Sequence, residues 1–313
     1  SVAVVANGHD LIVTAGGLLA SAGVTGAGDL TLSGALGHSL SGSYLAGGTI
    51  QLGAADTVLS GDVVLRAAEA DFTGRLLPAV SPAAGSLAFE PAPATADMAI
   101  GGTASTPAFD LTAAEMALIG NGFTSLRFGS SAGSGVLTVA APLAFTAPVS
   151  FVSPSGSLVL SSSLTTAGQA LSIDAALTIA GTAYIDTTSG GAFPGGSLSV
   201  GSIQGAVAGP SHLTLDTGSA SLTLGAVGNL TPLDSLTLAS DGLTTVGQDI
   251  AVRDLLRFEG PVAFGASAVR LTADTIEAGA AASFVGASTE LTLASASGLP
   301  VLVGASTDSG AGA

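Results

Sequence analysis

The sequence predicts an all-β protein folded as a parallel β-helix (a β-solenoid), with one short helix near residues 112–119. Three observations predict this class. Short runs alternate apolar and polar residues, small residues punctuate nearly every run, and the dipeptides that mark β-hairpins are scarce.

Leu-Thr-Leu and related phrases recur almost from end to end of the chain. Successive side chains of a strand point to opposite faces, so both Leu of such a phrase lie on one face and the Thr lies on the other. We expect Leu to face inward and Thr to face outward, as for Leu236 and Thr237. The runs are residues 29–33, 49–52, 62–66, 136–140, 157–161, 176–180, 197–201, 212–216, 221–225, 235–239 and 290–294.

The turn signals favour a solenoid over a sandwich or barrel. Hairpins use Asn-Gly or Asp-Gly, and the chain has Asp-Gly once (241–242) and Asn-Gly twice (7–8 and 121–122). A solenoid repeats imprecisely, and the 23 residues from Leu213 to Leu236 and the 20 from Phe264 to Phe284 each suit one coil. Coils of about 22 residues give about 14 of them.

Proline and a helix signal divide the chain. Residues 78–107 hold five of the 13 prolines, and proline cannot donate to a ladder. We therefore expect a solenoid segment over 1–77, a Pro-rich excursion or irregular edge over 78–109, and a continuing solenoid over 110–313. Thr112 and Glu115 form a T-x-x-E capping box for the short helix, which Gly120 could end.

Composition limits the core and the partners. Aromatic residues are 4 % of the chain, so we expect an interior of Val, Leu, Ile and Ala without a few large anchors. Charged residues are 9 %, against roughly 25 % in an average soluble protein. The formal net charge is −16 and the six basic residues are all Arg, which disfavours nucleic acid and anionic lipid as partners.

Other features bear on processing and compartment. The chain has no Cys, so a disulfide framework is impossible. No run of 18 uninterrupted apolar residues predicts a membrane span, and we expect no membrane insertion. The opening stretch lacks a basic segment, so it is not expected to be a signal peptide. The chain does not begin with Met, which suggests a processed chain or a piece of a longer one.

Two stretches carry a resemblance. Residues 222–278, beginning LTLGAVGNLTPLDSLTLASDG, and residues 110–162, beginning DLTAAEMALIGNGFTSLRFG, resemble repeats of giant bacterial surface adhesins of the filamentous-haemagglutinin type. The resemblance covers roughly residues 110–295 and implies a right-handed parallel β-helix, export across the bacterial outer membrane, and an adhesive or structural role. An N-P-N-G-I-like secretion signature is not found in the sequence.

The densest charged segment is 248–260, with Asp249, Arg253, Asp254, Arg257 and Glu259. A glycosidase needs two carboxylates roughly 5–10 Å apart, so this segment is the candidate for an enzymatic face. The alternative is an exposed edge whose Arg and acidic side chains pair across neighbouring positions. We favour the paired edge, because a substrate cleft normally adds aromatic residues or His.

The remaining polar candidates suggest no catalytic, cofactor-binding or metal site. His9, His38 and His212 are far apart in sequence, and we expect them at the surface or at caps. Aspartates that flank strands are expected to cap corners, and a loose Asp/carbonyl calcium site is the one cofactor left open. These aspartates are Asp10, Asp29, Asp62, Asp174, Asp186 and Asp216.

The sequence therefore predicts a non-enzymatic structural or adhesive rod segment of an exported bacterial protein, located outside the cell or on its surface, in adhesion, biofilm or surface architecture. Its expected partners are ligands on host cells, neighbouring cells or matrix, or copies of itself end to end. The first alternative is a self-assembling subunit of an extracellular fibre or sheath. The second is a polysaccharide-active β-helix enzyme.

Overall fold

The computed structural model of the chain describes residues 4–80, 84–103, 109–285, 290–298 and 302–305. The chain is 59 % strand and folds as a parallel β-solenoid of about 13 turns, which confirms the predicted fold class. The strands pair in parallel with strands of neighbouring coils. Leu11 lies opposite Leu30 on the next coil, and Leu213 lies opposite Leu236.

The chain divides into two compact units, one of residues 1–159 and 173–176, the other of residues 160–172 and 177–313. The described strands of the first unit are β1 (Val4–Val5), β2 (Leu11–Ala15), β3 (Leu19–Ser21), β4 (Val24–Ala27), β5 (Leu30–Gly34), β6 (His38–Ala46), β7 (Thr49–Leu52), β8 (Thr57–Ala67), β9 (Glu69–Phe72), β10 (Leu76–Pro78), β11 (Ala84–Pro91), β12 (Met98–Gly102), β13 (Phe109–Thr112), β14 (Leu126–Gly129), β15 (Val136–Val139) and β16 (Leu143–Phe145). Its helix is α1 (Ala113–Met116).

Two strands have residues in both units, β17 (Val149–Leu160) and β19 (Leu171–Ile179). The other described strands belong to the second unit: β18 (Ser163–Thr166), β20 (Gly181–Asp186), β21 (Leu198–Gly205), β22 (Ser211–Asp216), β23 (Leu222–Val227), β24 (Leu233–Leu238), β25 (Thr244–Val246), β26 (Ile250–Phe258), β27 (Val262–Phe264), β28 (Ala268–Thr272), β29 (Thr275–Ala278), β30 (Phe284–Val285), β31 (Glu290–Ala294) and β32 (Leu302–Ala305).

The inward and outward alternation is as predicted. Four inward residues lie opposite one another on successive coils and form the aliphatic column: Leu213, Leu236, Leu256 and Ile276. Leu236 is fully buried, whereas Thr237 next to it lies on the outer face and keeps part of its surface in solvent. The pairing of Leu213 with Leu236 confirms the 23-residue repeat.

The predicted 20-residue coil from Phe264 to Phe284 is two residues shorter than the coil in the structure. Strand β27 places Val262, and not Phe264, opposite Phe284, so this coil takes 22 residues. The rings of Phe264 and Phe284 nevertheless stack with centroids 6.1 Å apart, because a ring spans the offset of two residues.

The expectation of a core without large anchors is wrong for part of the first unit. Phe89, Phe128 and Phe151 lie opposite one another on β11, β14 and β17 and form the aromatic column. Their centroids are 5.9 and 5.5 Å apart, and all three side chains are fully buried. The strict register of the parallel ladder stacks these three rings.

The predicted Pro-rich segment, 78–109, contains strands of the parallel ladder. Strand β11 pairs with β8 and β14, with a shift of register between Ala84 and Leu87. Residues 81–83 and 104–108, with Pro82 and Pro107, lie outside the described residues. The division between compact units falls near residue 160, and the boundaries at 78 and 110 stay predictions.

The predicted helix is present and its capping box is confirmed. The Thr112 hydroxyl accepts a hydrogen bond from the Glu115 backbone N–H, and the Glu115 carboxylate accepts one from the Thr112 N–H. The helix ends at Met116 and does not reach residue 119, because Leu118 and Gly120 exchange backbone hydrogen bonds with Leu76. In the described part of the chain, no helix has the length and hydropathy to cross a bilayer.

Candidate functional site

The charged segment 248–260 lies along β26, and its charges pair with neighbouring coils. Arg253 forms an ion pair of 2.8 Å with Asp234, and the Arg257 Nε lies 2.7 Å from a Glu259 carboxylate oxygen without hydrogen-bond geometry. Asp249 accepts the backbone N–H of Arg270 at 2.8 Å. Asp254 is exposed. Arg253, Arg257 and Asp249 thus have partners, as the paired-edge interpretation expects, and the absence of a catalytic role stays a prediction.

Several aspartates link one coil to the next. The Asp10 carboxylate accepts the backbone N–H of Asp29 at 2.9 Å, and the Asp29 carboxylate accepts that of Thr49 at 2.7 Å. Asp62 accepts both the N–H and the hydroxyl of Ser86. We call such a bond a coil clasp. These aspartates satisfy a backbone donor of the following coil, and not one of their own corner.

The other strand-flanking aspartates behave as the sequence predicts or lie in solvent. Asp186 caps its own turn by accepting N–H groups of Thr188 and Gly190, each at 2.6 Å. Asp216 accepts the N–H of Gly218 at 2.8 Å. Asp174 is exposed. In the ranges that the structure describes, no group of three His, Cys, Asp or Glu side chains is arranged to hold a metal ion.

The prediction that all three histidines lie at the surface or at caps is wrong for His38. His9 is exposed, and the His212 Nδ1 lies 2.8 Å from the Ser235 hydroxyl. His38 is buried; its Nε2 accepts the Gly34 N–H at 3.0 Å and its Nδ1 lies 2.9 Å from the Thr57 hydroxyl. Burial lowers the pKa of His38. The alternation His-Ser-Leu over residues 38–40 carries the signal, because it puts His38 in phase with an inward Leu.

Sequence reasoning misses an acidic cluster that we define as Glu69, Asp71 and Asp110. Glu69 accepts the Ala70 N–H at 2.7 Å and the Asp110 N–H at 3.0 Å. Burial, and then the neighbouring carboxylates, raise the pKa of Glu69 to about 7. Burial and Asp110 raise the pKa of Asp71 as well. The alternation Glu-Ala-Asp places Glu69 and Asp71 on one face, but Asp110 arrives 41 residues after Glu69 and has no local signal.

A second missed group is an Arg-Glu-Arg triad across three coils. Glu90 is buried between Arg66 and Arg127, which both bind its carboxylate. Arg66 lies opposite Glu90, and Arg127 also donates to the Gly129 carbonyl at 2.9 Å. Two arginines compensate one buried carboxylate, so the triad joins β8, β11 and β14 without leaving a buried charge unpaired.

A groove crosses the outer face of β5, β7 and β9. Gly53 follows β7 and leaves a hollow of about 210 Å³ between Ser33 and Thr73. Thr31, Gln51 and Asp71 form the row beside it, since they lie opposite one another in the ladder. Leu52 and Phe72 also border it, but their side chains are buried on the inner face of the sheet. Asp71 is thus shared by the groove and the acidic cluster.

Comparison with family models, with curated proteins and with solved structures finds no match for this chain. The resemblance to adhesins of the filamentous-haemagglutinin type therefore stays a prediction from the sequence.

Proposed function

We propose that this solenoid is a non-enzymatic structural and adhesive segment of an exported bacterial protein, displayed outside the cell or on its surface. The observation that carries the proposal is that coil clasps and ion pairs bind most charged side chains of the described residues to atoms of neighbouring coils. The repeated outer surface therefore consists of rows of Thr and Ser.

Repetition suits adhesion. Outward residues recur at the inter-strand spacing of roughly 4.8 Å, as Thr214 and Thr237 do on β22 and β24. Many weak contacts displayed together give avidity without a single dominant residue. The expected partners are ligands on host cells, neighbouring cells or matrix.

Attachment of cells to beads coated with the chain tests the adhesive function. Single replacements Thr214→Ala and Thr237→Ala should each change the attachment force by less than about twofold, whereas replacing the outward Thr of several coils together should reduce it in proportion. Uncoated beads are the control. Attachment equal to that control, or its full loss on one replacement, contradicts the proposal.

Self-assembly into a fibre or sheath is the second candidate, and exposed apolar side chains of β31 favour it. Leu291 and Leu293 lie opposite the inward Val269 and Leu271 but remain 38 % and 41 % exposed. A second copy would continue the parallel ladder and cover these residues.

Electron microscopy and sedimentation of the purified chain test self-assembly. Filaments that disappear in Leu291→Lys and persist in Thr292→Lys, the neighbouring outward position, would support it. A chain that stays monomeric at high concentration contradicts it.

A polysaccharide-active enzyme is the third candidate, favoured by the raised pKa of Glu69, which suits a general acid or base near neutral pH. We expect no new reducing ends and no unsaturated products from acidic or neutral glycans, with or without Ca²⁺. Activity that vanishes in Glu69→Gln, or in Asp249→Asn, Asp254→Asn or Glu259→Gln, would overturn the non-enzymatic proposal.

A further inference from the structure

The groove over Gly53 has the shape of a small-ligand subsite. It is concave, and its hollow exists because Gly53 has no side chain between the hydroxyls of Ser33 and Thr73. The backbone of Gly53 is held by a hydrogen bond of 2.9 Å from its N–H to the Leu32 carbonyl. The hollow therefore belongs to the ladder itself and not to a loose loop.

The lining groups match a sugar in kind. Hydroxyls of Thr31, Ser33 and Thr73 and the amide of Gln51 can each donate and accept hydrogen bonds. They stand in two rows on strands roughly 4.8 Å apart, on either side of the strand positions whose side chains, such as those of Leu52 and Phe72, point into the core. A few convergent polar groups around a hollow are part of the usual make-up of a small-molecule site.

The charge at the groove selects among sugars. Asp71 is its one ionisable lining residue. Glu69 and Asp110 lie close enough to Asp71 for their charges to act on one another. Like charges held together favour a bound cation and repel a bound anion. The Arg residues of the first unit that form ion pairs bind Glu90 or Asp56, so none of these ion pairs uses Asp71.

We propose that this groove binds a glycan whose sugar units carry free amino groups, with the hydroxyls and amide holding the ring and Asp71 holding the ammonium. The inference rests on the proposed adhesive function and names a ligand class for it. It gives one face of the first unit a specific contact among the repeated weak ones.

Calorimetric titration of the purified full chain with three oligosaccharide probes tests the proposal. The probes are an oligomer of glucosamine, the same oligomer fully N-acetylated, and an oligogalacturonate of equal length. We expect the glucosamine oligomer to bind at least about tenfold more tightly than the N-acetylated one, since acetylation removes the charge that Asp71 pairs with. Oligogalacturonate should not bind. Equal affinity for the first two probes overturns the proposal.

Two variants localise the binding. Gly53→Val fills the hollow, and the backbone of Gly53 is not in the left-handed region that a side chain would strain. The added Cβ would lie 3.3 Å from the Ser33 hydroxyl, which is its nearest neighbour. Its affinity for the glucosamine oligomer should fall at least about tenfold. Asp71→Asn should retain weak binding but lose the preference for the amine.

Gly265→Val is the matched control. Gly265 also follows a strand directly and also donates its N–H to the preceding coil at 2.9 Å, but it lies in the second unit. Its binding should equal that of the unchanged chain, and an equal loss in both Gly→Val variants would show that the loss is not local to the groove and overturn the site. Circular dichroism and thermal unfolding of each variant check folding. Should Gly53→Val fail to fold, Asp71→Asn at the rim decides alone, and an unchanged amine preference overturns the proposal.

The outcomes separate this inference from the adhesive function. Attachment of coated beads to cells without oligosaccharide binding would refute the groove and leave adhesion standing. Binding of the glucosamine oligomer without attachment to cells would refute adhesion and leave the groove as a subsite of another function.

Discussion

The aromatic column of the first unit and the aliphatic column of the second are built by the same register but filled differently. In the aliphatic column, Leu213, Leu236, Leu256 and Ile276 stack one per coil. In the aromatic column, the ring centroids are 5.9 and 5.5 Å apart, which exceeds the strand spacing of roughly 4.8 Å. The rings are therefore offset along the stack, an arrangement that their quadrupoles favour.

Both units also bury polar side chains. The first unit buries His38 and Glu90 and half-buries Glu69, the second buries Asp186, and the ion pairs along β26 in the second unit keep both partners partly in solvent. The comparison shows that a parallel ladder does not dictate what it encloses. Its register places residues of successive coils opposite one another, and the sequence decides whether those residues are Leu, Phe or charged.

The largest expected effect is a charge placed in the aliphatic column. Leu236→Asp should lower the free energy of unfolding by several kcal/mol, because its carboxylate would lie among buried aliphatic side chains without a partner. Thr237→Asp, one residue on and on the outer face, should change it by less than about 0.5 kcal/mol. Chemical unfolding of both variants gives the measurement, and equal effects would refute the inward and outward assignment.

Truncation should distinguish the two columns. Phe128→Ala should cost about 4 kcal/mol, since it removes the middle ring of three and leaves a large cavity. Leu236→Ala should cost about 3 kcal/mol, because a smaller side chain is lost from an equally buried position. Unfolding midpoints in denaturant measure both. A smaller loss for Phe128→Ala would mean that the aromatic column collapses onto its gap.

The aliphatic column is the part that the sequence predicts best. Leu-Thr-Leu fixes which side faces inward, and the 23-residue step from Leu213 to Leu236 sets one register. The aromatic column is not predictable in this way, because the step from Phe89 to Phe128 is 39 residues and that from Phe128 to Phe151 is 23. An irregular insertion hides the stacking from any fixed period.

The candidate sites divide along the same line. The pairing along 248–260 could be predicted only for Arg257 and Glu259, which lie two residues apart. Arg253 and Asp249 find their partners on neighbouring coils.

The groove and the acidic cluster could not be predicted, because Thr31, Gln51 and Asp71 meet only through the register of three coils. The hydrogen bond from the Asp110 N–H to Glu69 could not be predicted either, because Asp110 lies 41 residues farther along the chain.

A smaller loss of stability is expected when one carboxylate of an ion pair is neutralised, and the loss should be larger for the buried Glu90 than for the partly exposed Glu259. Glu90→Gln should cost about 2 kcal/mol, since it replaces the buried carboxylate by one neutral acceptor for two arginines that themselves stay partly in solvent. Glu259→Gln should cost less than about 1 kcal/mol, because its pair with Arg257 is partly in solvent. Urea unfolding at low and at high salt compares them. A cost for Glu259→Gln as large as that for Glu90→Gln would contradict the distinction.

The smallest expected effect is a pH dependence confined to the first unit. The pKa of Glu69 is raised from 4.5 to about 7 in the folded chain, so between these values the folded state holds a proton that the unfolded state has released. Its contribution to stability is therefore fully present below about pH 4.5 and is lost as the pH rises to about 7. The size should be on the order of 1 kcal/mol, because solvent screens a half-buried group. His38 acts in the opposite sense, since its lowered pKa makes stability fall as the pH drops below about 6.5.

Single variants separate these two slopes. Glu69→Gln should remove the Glu69 part of the loss of stability between pH 4.5 and 7 and leave the slopes of His38 and of Asp71, whose pKa is also raised. Asp62 and Asp274 should contribute little in that window, because hydrogen bonds from Ser86 and Ser297 lower the pKa of each below 3.8. Denaturant midpoints of the unchanged chain and of Glu69→Gln across this range give the difference curve. A flat difference curve would show that Glu69 is ionised at neutral pH in the folded chain, and the acidic cluster would then differ little from the solvated charges of the second unit.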